Sequence, residues 1–379
     1  MCGIKVRRGL LGVTESQDRR YAMNGEYFTI DEVCKLLNIS RPTLNSYRHK
    51  HDIREVKIKG RVLFRKVEIL SQLYLPMEIE QHPKADFTVL STFAVEDIEV
   101  TPNVFDVRRV GVLDPFGAIC LLCCLRIRID QKAHVYILVG RDSASFALLG
   151  MNFFSELTRV NSEYVHYDAD LLNDVSLTTP EIITPLHLVG YRGGEKGILG
   201  DIFARLRDQG FSEDLCASLG WTLGELADNA TTHAGGPCYF VLSSTAGPCK
   251  CLTLTIGDAG AGIPVTLKSN KRYKDLSDFE AFISAFKSSV SSWDETHKRG
   301  KGLNDLLSIA KGNRAWVRAE TNGMGVFFDF REPAGQVFAR DAGTSTKGTR
   351  YSMALIDSQF EYVTKKEIDT FLNAFLEAQ

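Results

Sequence analysis

Regular alternation of apolar and polar residues first appears in residues 27–75. Thr29 and Glu32 have the spacing of a capping box, and Ser40 suits the start of a second helix after a short turn. Residues 56–64 alternate around a central glycine, which is the pattern of a β-hairpin. A short helix is expected to close this unit. The apolar positions expected to face its core are Ile30, Val33, Leu36, Leu37, Leu44 and Tyr47.

The same unit has a basic composition. Residues 41–66 contain nine Lys and Arg and only two acidic residues, in a chain whose formal net charge is −2. A local excess of positive charge suits phosphate groups. The alternative is a solvated basic face on a protein-interaction module.

Residues 27–40, together with the hairpin, resemble the DNA-binding domain of the MerR and excisionase families. The resemblance implies a winged helix-turn-helix over residues 25–78, with the second helix in the major groove and the hairpin against the phosphate backbone. The exposed side chains expected to contact DNA are Arg41, Thr43, Asn45, Arg48, Lys50, Lys57, Lys59 and Arg61.

The middle region, residues 84–190, alternates between strand and helix patterns, which predicts a small α/β layer. The predicted strands are residues 110–113 and 134–139, and the predicted helices are residues 118–125 and 144–158. This region resembles the STAS domain of anti-sigma-factor antagonists, in whose signalling members a serine at a strand-to-helix turn is phosphorylated. Phe116 stands at the comparable place, so a scaffold or docking role is expected here.

Residues 193–357 predict a third unit of helices and a sheet, followed by a C-terminal helix within residues 358–379. Its long first helix, residues 213–234, ends at a Gly-Gly pair, which is a helix stop. A shorter helix is predicted at residues 303–311. The predicted strands are residues 238–243, 251–257, 315–320, 325–330 and 349–355.

Four short polar motifs occur in this third unit. Glu225, Asp228 and Asn229 share one helix face through their i, i+3 and i+4 spacing. They are followed by Asp258-Ala-Gly260-Ala-Gly262, by Arg299-Gly300-Lys301-Gly302 and by Lys347-Gly-Thr349. In this order they resemble the four nucleotide-binding boxes of the GHKL ATPases, which include gyrase, mismatch-repair ATPases, histidine kinases and anti-sigma-factor kinases. The whole chain is therefore expected to be an α/β multidomain protein that ends in a GHKL α/β sandwich.

The resemblance implies a role for each motif. Asp258 would accept a hydrogen bond from the exocyclic amine of adenine, assisted by Thr349, with Asp228 in the same polar network. Asn229 would be a ligand of Mg²⁺, and Glu225 would hold the attacking water. Glycines relieve the Cβ constraint beside the nucleotide, and backbone amides at the start of a helix bind phosphate. The remaining residues expected at the nucleotide are Gly260, Gly262, Arg299, Gly300, Lys301 and Gly302.

The segment between Gly262 and Gly300 is also expected to include the mobile lid over ATP. It contains an amphipathic stretch with Phe279, Phe282 and Phe286.

Composition points to a soluble globular protein, with 44% hydrophobic and 24% charged residues. No apolar run approaches the length of a membrane span, and the N-terminal 24 residues predict a flexible basic arm and no signal peptide. Nine cysteines in such a chain predict reduced thiols and a cytoplasmic location. Cys120, Cys123 and Cys124 lie in an apolar run, which favours buried thiols over a metal site.

Three functions fit this combination. The first is a DNA-binding regulator switched by an ATP site that contains Mg²⁺ and that hydrolyses ATP. The second is a serine kinase acting on a separate STAS-like protein; autophosphorylation on histidine is disfavoured because His187 lacks an acidic neighbour and a following proline. The third is an ATP-binding adaptor without turnover, against which Glu225 argues. An ATP-dependent homodimer, as in gyrase-like proteins, stays open.

Overall fold

A computed structural model describes most of the chain, and within it the protein has mixed α/β structure with sheets of three, four and seven strands. The expectations for the N-terminal arm, and those for Lys59, Arg299, Gly300 and Lys301, lie outside the described residues. The described residues are 27–37, 39–50, 53–58, 60–65, 69, 95–111, 113–172, 182–190, 193–234, 236–245, 251–288, 290, 302–341, 346–357 and 360–378.

The N-terminal unit contains the two predicted helices and the predicted hairpin, together with an unpredicted first strand; the short closing helix expected after the hairpin falls mostly outside the described residues. Its three strands form an antiparallel sheet in the order β1-β3-β2, and the capping box is confirmed, because the Thr29 amide donates to Glu32 Oε2 at 2.7 Å. Val33, Leu44 and Phe64 are buried in its core, whereas the side chains of Leu36 and Leu37 lie outside the described part. The elements are β1 Tyr27–Thr29, α1 Ile30–Leu37, α2 Arg41–Lys50, β2 Glu55–Ile58 and β3 Arg61–Arg65.

The middle unit is a four-stranded sheet in the order β4-β5-β6-β7. Strand β4 is antiparallel to β5, and β5, β6 and β7 are parallel to one another. The alternation of strands and helices therefore forms the small α/β layer that the sequence predicts. The elements are β4 Glu99–Thr101, β5 Val104–Asp106, α3 Pro115–Asp130, β6 Val135–Leu138, α4 Ser143–Gly150, α5 Phe153–Asn161 and β7 Val165–Tyr167.

Two predictions for the middle unit are wrong in detail. The strand expected at residues 110–113 lies earlier, at Val104–Asp106, and is followed by a 3₁₀ turn at Val107–Arg109. The helix expected at residues 144–158 is divided, because Asn152 takes a left-handed conformation with φ of 62° between α4 and α5. Both differences arise from turns, whose conformation hydrophobic periodicity does not report.

The C-terminal unit is built on a seven-stranded antiparallel sheet in the order β13-β12-β11-β14-β10-β9-β8. Its strands are β8 Ile182–Val189, β9 Cys238–Thr245, β10 Cys251–Asp258, β11 Trp316–Thr321, β12 Met324–Asp329, β13 Gln336–Asp341 and β14 Thr349–Ile356. Its helices are α6 Lys196–Asp208, α7 Glu213–Asn229, α8 Ile263–Lys268, α9 Asp278–Ser284, α10 Gly302–Gly312 and α11 Lys365–Glu377. A π turn, Ala230–Ala234, continues α7.

Strands β8 and β13 are absent from the predicted element list. Strand β8 lies within residues 84–190, yet it pairs with β9 in the larger sheet, so this pairing crosses the expected boundary near residue 190. The chain thus enters the seven-stranded sheet about ten residues before the predicted start of the third unit.

Both faces of the seven-stranded sheet are covered. On one face α6, α7, α9, α10 and α11 form the main core, in which Leu223, Leu226 and Leu307 are buried. On the other face lies α3, whose residues pack with Tyr239 and Val241 of β9. Residues 116–125 of α3 are buried all round, including Cys120, Cys123 and Cys124, as expected of a helix enclosed between two sheets.

The lid expected between Gly262 and Gly300 stays a prediction, whereas the amphipathic stretch of this segment packs in the core. This stretch forms α9 and the turn after it, and Phe282, Ile283 and Phe286 are buried in the main core. Residues 291–301 lie outside the described part of the chain.

Across the described residues, no helix combines the length and apolar character that a bilayer-crossing segment requires. The seven cysteines described are free thiols.

Candidate functional site

Asp258 and Thr349 meet where two neighbouring inner strands of the large sheet, β10 and β14, have their ends, in a site called the Asp258 corner below. Strands β10 and β14 pair so that Gly257 lies opposite Arg350, and the end of β10 therefore lies beside the start of β14. The buried Asp258 carboxylate accepts hydrogen bonds from the Gly260 amide at 2.8 Å and from the Thr349 amide at 3.3 Å. Two motifs that lie 91 residues apart in the sequence are thus joined through a single carboxylate oxygen.

Burial raises the pKa of Asp258 to about 6, even though the two amides and the nearby Arg350 guanidinium lower it. At neutral pH the group is therefore mostly an ionised acceptor, and below pH 6 it becomes mostly a protonated donor.

Glycine is required at two positions of this corner. Gly348 has φ of 102°, and a Cβ atom there would overlap the Asp258 carbonyl oxygen. Gly262 has φ of 82°, and a Cβ atom there would meet the Asn322 side chain. The backbone can approach so closely only because both residues lack side chains.

The last residue of β11 and the first residue of the turn after it were both missed by sequence reasoning. Asn322 donates to the Ala261 carbonyl at 2.8 Å and accepts from the Gly348 amide at 3.1 Å. Thr321 Oγ1 accepts from the Ile263 amide at 3.0 Å and lies 3.4 Å from Thr349 Oγ1. These contacts hold the loops that follow β10 and precede β14. In the sequence the only signal for this part is the Thr-Asn-Gly turn.

The first motif lies on α7, as predicted, with Glu225, Asp228 and Asn229 half-buried near its C-terminal end. Glu225 packs directly over Gly302, the first residue of α10, where a Cβ atom would overlap the carboxylate. The structure therefore places Glu225 of the first motif beside Gly302 of the third, at the N-terminus of a helix, where the macrodipole favours negative charge.

A further carboxyl group lies in the same layer. Glu195, next to the start of α6, is 2% exposed, and its Oε2 has no hydrogen-bond partner among the described residues. Its other oxygen lies 3.8 Å from the Cβ position of Gly224 on α7. Burial raises the pKa of the Cys238 thiol, and the negative charges of Asp258 and Glu195 raise it further. Among the described residues no group of three or more His, Cys, Asp and Glu side chains is arranged to hold a metal ion.

The second surface of interest lies on α2 and the β2-β3 hairpin. Asn45 and Arg61 are exposed, as predicted, and so is Arg54 at the turn between them, which sequence reasoning missed. Thr43 is half-buried, and its hydroxyl lies 2.8 Å from that of Ser40. The side chain of Lys50 lies outside the described part.

A family model described as a helix-turn-helix domain matches residues 27–71. The chain contains a helix-turn-helix domain. Comparison of the chain with curated proteins and with solved structures gives no significant match.

Within the helix-turn-helix domain, three of the predicted DNA contacts already have acidic partners. Arg41 forms an ion pair with Asp31 at 2.6 Å, and Glu55 pairs with both Arg48 and Lys57, the latter at 3.6 Å. Glu55 therefore joins the second helix to the hairpin. The Arg41–Asp31 pair is exposed and therefore weak, whereas Arg48, which was predicted to be exposed, is half-buried.

Proposed function

We propose that the C-terminal unit binds ATP with Mg²⁺ and hydrolyses it, and that the protein is a regulator that binds DNA through its helix-turn-helix domain. The observation that carries the nucleotide part is the corner at Asp258. Its carboxylate is buried, accepts hydrogen bonds from two backbone amides and is flanked by glycines that let neighbouring protein segments pack closely around it. A buried acceptor of this kind has the chemistry needed to select a base with an exocyclic amine.

The other residues fit the remaining parts of a nucleotide. Asn229 offers a neutral oxygen ligand, which suits Mg²⁺ because this ion keeps water and phosphate oxygens as its other ligands. Gly302 begins α10, where backbone amides suit phosphate groups. Mg²⁺, when bound, neutralises phosphate charge. The Glu225 carboxylate lies at the same helix start and would orient water for hydrolysis.

DNA binding rests on the helix-turn-helix domain and its exposed Asn45, Arg54 and Arg61. The second helix would read base edges while the hairpin contacts phosphates. Phosphates would compete with Asp31 and Glu55 for Arg41, Arg48 and Lys57, so these two acids would limit the affinity.

A second candidate is a kinase that phosphorylates serine in a separate STAS-like protein. The middle unit favours it, because its parallel strands with intervening helices form a layer of the kind expected of STAS domains. In this chain Phe116 is buried near the start of α3, 3.8 Å beneath the Arg318 guanidinium, and offers no hydroxyl. The acceptor serine would therefore belong to a partner. A further alternative is an ATP-binding adaptor without turnover. An ATP-dependent homodimer is compatible with each of these functions.

The test is to follow the label from γ-labelled ATP. The full chain is incubated with magnesium and labelled ATP, alone and with a lysate of its host, beside an Asn229→Ala variant as the blank. Free labelled phosphate without labelled protein supports the ATPase, and label on a partner protein supports the kinase. ATP that binds but is not converted supports an adaptor without turnover. Absence of ATP binding contradicts the nucleotide proposal.

A further inference from the structure

Arg350 is a fully buried charged side chain in the seven-stranded sheet, next to the corner described above. It is 0% exposed, and its two terminal nitrogens donate to the carbonyls of Lys347 and Thr346, each at 3.0 Å. Its Nε has no hydrogen-bond partner among the described residues. A buried guanidinium is costly unless its donors are used, so a chain that keeps one here gains from the bonds it makes.

The stem of Arg350 is held between the sheet and α3. A Cβ atom on Gly257, the residue opposite on β10, would lie 2.7 Å from Arg350 Cγ and 2.6 Å from Ile119 Cγ2 on α3. No side chain larger than that of glycine fits between them. Tyr351, the next residue, packs in the main core on the opposite face of the sheet. Arg350 thus connects strand β14 of the seven-stranded sheet with helix α3 of the middle unit.

The carbonyls that Arg350 holds come directly before Gly348 and Thr349. Gly348 already packs against the Asp258 carbonyl, and the Thr349 amide donates to the Asp258 carboxylate. A shift of these carbonyls would move both contacts. Since hydrogen bonds to charged groups are stronger than neutral ones, the guanidinium is suited to holding this short segment still.

We propose that Arg350 is a positioning residue for base recognition, and that through it helix α3 of the middle unit forms part of the nucleotide site. The inference rests on the proposed ATP binding. It gives the middle unit a role in nucleotide binding, because Ile119 of α3 packs beside Gly257 and the Arg350 side chain. Asp258 recognises the base, and Arg350 sets the backbone against which Asp258 is held.

A purely structural role for this buried arginine predicts a different pattern. Loss of a structural residue would lower stability and weaken all nucleotides equally. Loss of a positioning residue would weaken mainly the nucleotide whose base needs the correct corner geometry. Inosine triphosphate is the matched probe, because it carries an oxygen where ATP carries the exocyclic amine.

The experiment compares Arg350→Lys with Arg318→Lys in the full chain, with Arg350→Met as a more severe variant. Arg318 is a matched control because it lies on the neighbouring strand β11, packs on Phe116 of α3 and donates its hydrogen bonds to Glu320. Affinities for ATP and inosine triphosphate are measured by calorimetry, and backbone amide exchange of residues 346–350 is measured without nucleotide.

We expect Arg350→Lys to lower the preference for ATP over inosine triphosphate roughly tenfold, because a single ammonium nitrogen does not reproduce the fork of two nitrogens that bonds the two carbonyls. Amide exchange at residues 348–349 should rise about tenfold in the same variant. Arg318→Lys should leave both quantities unchanged. If Arg350→Met does not fold, the comparison of Arg350→Lys with Arg318→Lys still decides the question.

The pH profile provides a second readout. The groups that face Asp258 are Arg350 and Tyr351 on β14, Cys238 on β9 and Cys123 on α3. Arg350 is the cation among them and lowers the pKa of Asp258. In Arg350→Met the pKa should be higher, so ATP affinity should be lost at a higher pH than in the parent, whereas Arg350→Lys keeps the charge.

Four outcomes are distinguishable. The predicted loss of preference together with faster exchange in the Arg350 variants supports the inference. A parent protein that prefers ATP while Arg350→Lys keeps the same preference overturns the inference alone. Equal weakening of both nucleotides also overturns it, in favour of a structural role. A parent protein that binds neither nucleotide overturns the proposed function, and this inference with it.

Discussion

The helix-turn-helix domain and the Asp258 corner place their functional groups in opposite ways. In the first, the charged side chains lie at the surface, and several are paired with neighbouring acids by short-range contacts. In the second, one buried carboxylate depends on backbone amides and glycines contributed by distant parts of the chain. A charged surface of this kind should keep its structure after single substitutions, and its binding should depend on salt. The closely packed Asp258 corner should lose both stability and binding when a single methyl group is added.

The largest effect is expected from adding one methyl group at Gly348. Gly348→Ala would place a Cβ atom against the Asp258 carbonyl at a φ that only glycine adopts easily. We expect a loss of roughly 1–3 kcal/mol of stability from the backbone conformation alone, with loss of ATP binding. The measurements are thermal unfolding and ATP calorimetry.

The matched control for Gly348 is Gly190→Ala, because a Cβ atom at Gly190 meets nothing within 4 Å. Its stability should stay within about 0.5 kcal/mol of the parent. Equal effects of the two alanines would contradict the requirement for glycine at the corner.

The next effect is a loss of turnover while ATP binding is kept. Glu225→Gln removes the charge of the carboxylate over Gly302 but keeps its size, so ATP should bind while hydrolysis falls by roughly 10²- to 10⁴-fold. Single-turnover release of phosphate measures it. A variant that hydrolyses ATP at the parent rate would remove Glu225 from this role, and one that no longer binds would show that the carboxylate supports the nucleotide instead.

The pH dependence of ATP affinity tests the role of the buried Asp258 carboxylate. Because burial raises the pKa of Asp258 to about 6, the ionised acceptor is present above that pH and is lost as the pH falls through it. We expect ATP affinity to fall by up to about tenfold per unit below pH 6, where protonation competes with binding. Binding that does not change between pH 7.5 and 5 would show that the base does not use this carboxylate.

The smallest effect is expected at the surface. Glu55→Gln should release Arg48 and Lys57 and remove a negative charge near DNA, so affinity should rise a few-fold and the salt dependence should steepen. Arg61→Gln, which removes an exposed cation, should act in the opposite direction. Gel-shift titrations at several salt concentrations compare the two. Weaker DNA binding by Glu55→Gln would mean that the acid organises the surface and does not inhibit it.

The same contrast explains what the sequence could predict. The capping box at Thr29, the second helix and the hairpin depend on neighbours within a few residues, so local patterns located them. Asp258 and Thr349 could be proposed from the sequence because they stand in short motifs with glycine. Strand β8 was missed because its partner β9 follows only after two helices.

The supporting residues of the corner were not predictable in this way. Asn322, Thr321 and Arg350 act because the register of β10, β11 and β14 brings them beside Asp258 and the loop that follows it. No spacing rule in one sequence encodes that register. Phe282 and Phe286 show the same limit, because they have the periodicity of any helix that packs on a core.

The central claim is that the seven-stranded unit recognises a nucleotide base through Asp258. Its most direct test is calorimetry of Mg·ATP with the full chain and with Asp258→Asn at neutral pH, where asparagine keeps the size of the side chain. The account predicts binding by the parent and a loss of roughly tenfold or more in the variant, the cost of weakening a charged hydrogen bond in a buried site. Equal affinity in the two proteins, or no binding by the parent, would contradict it.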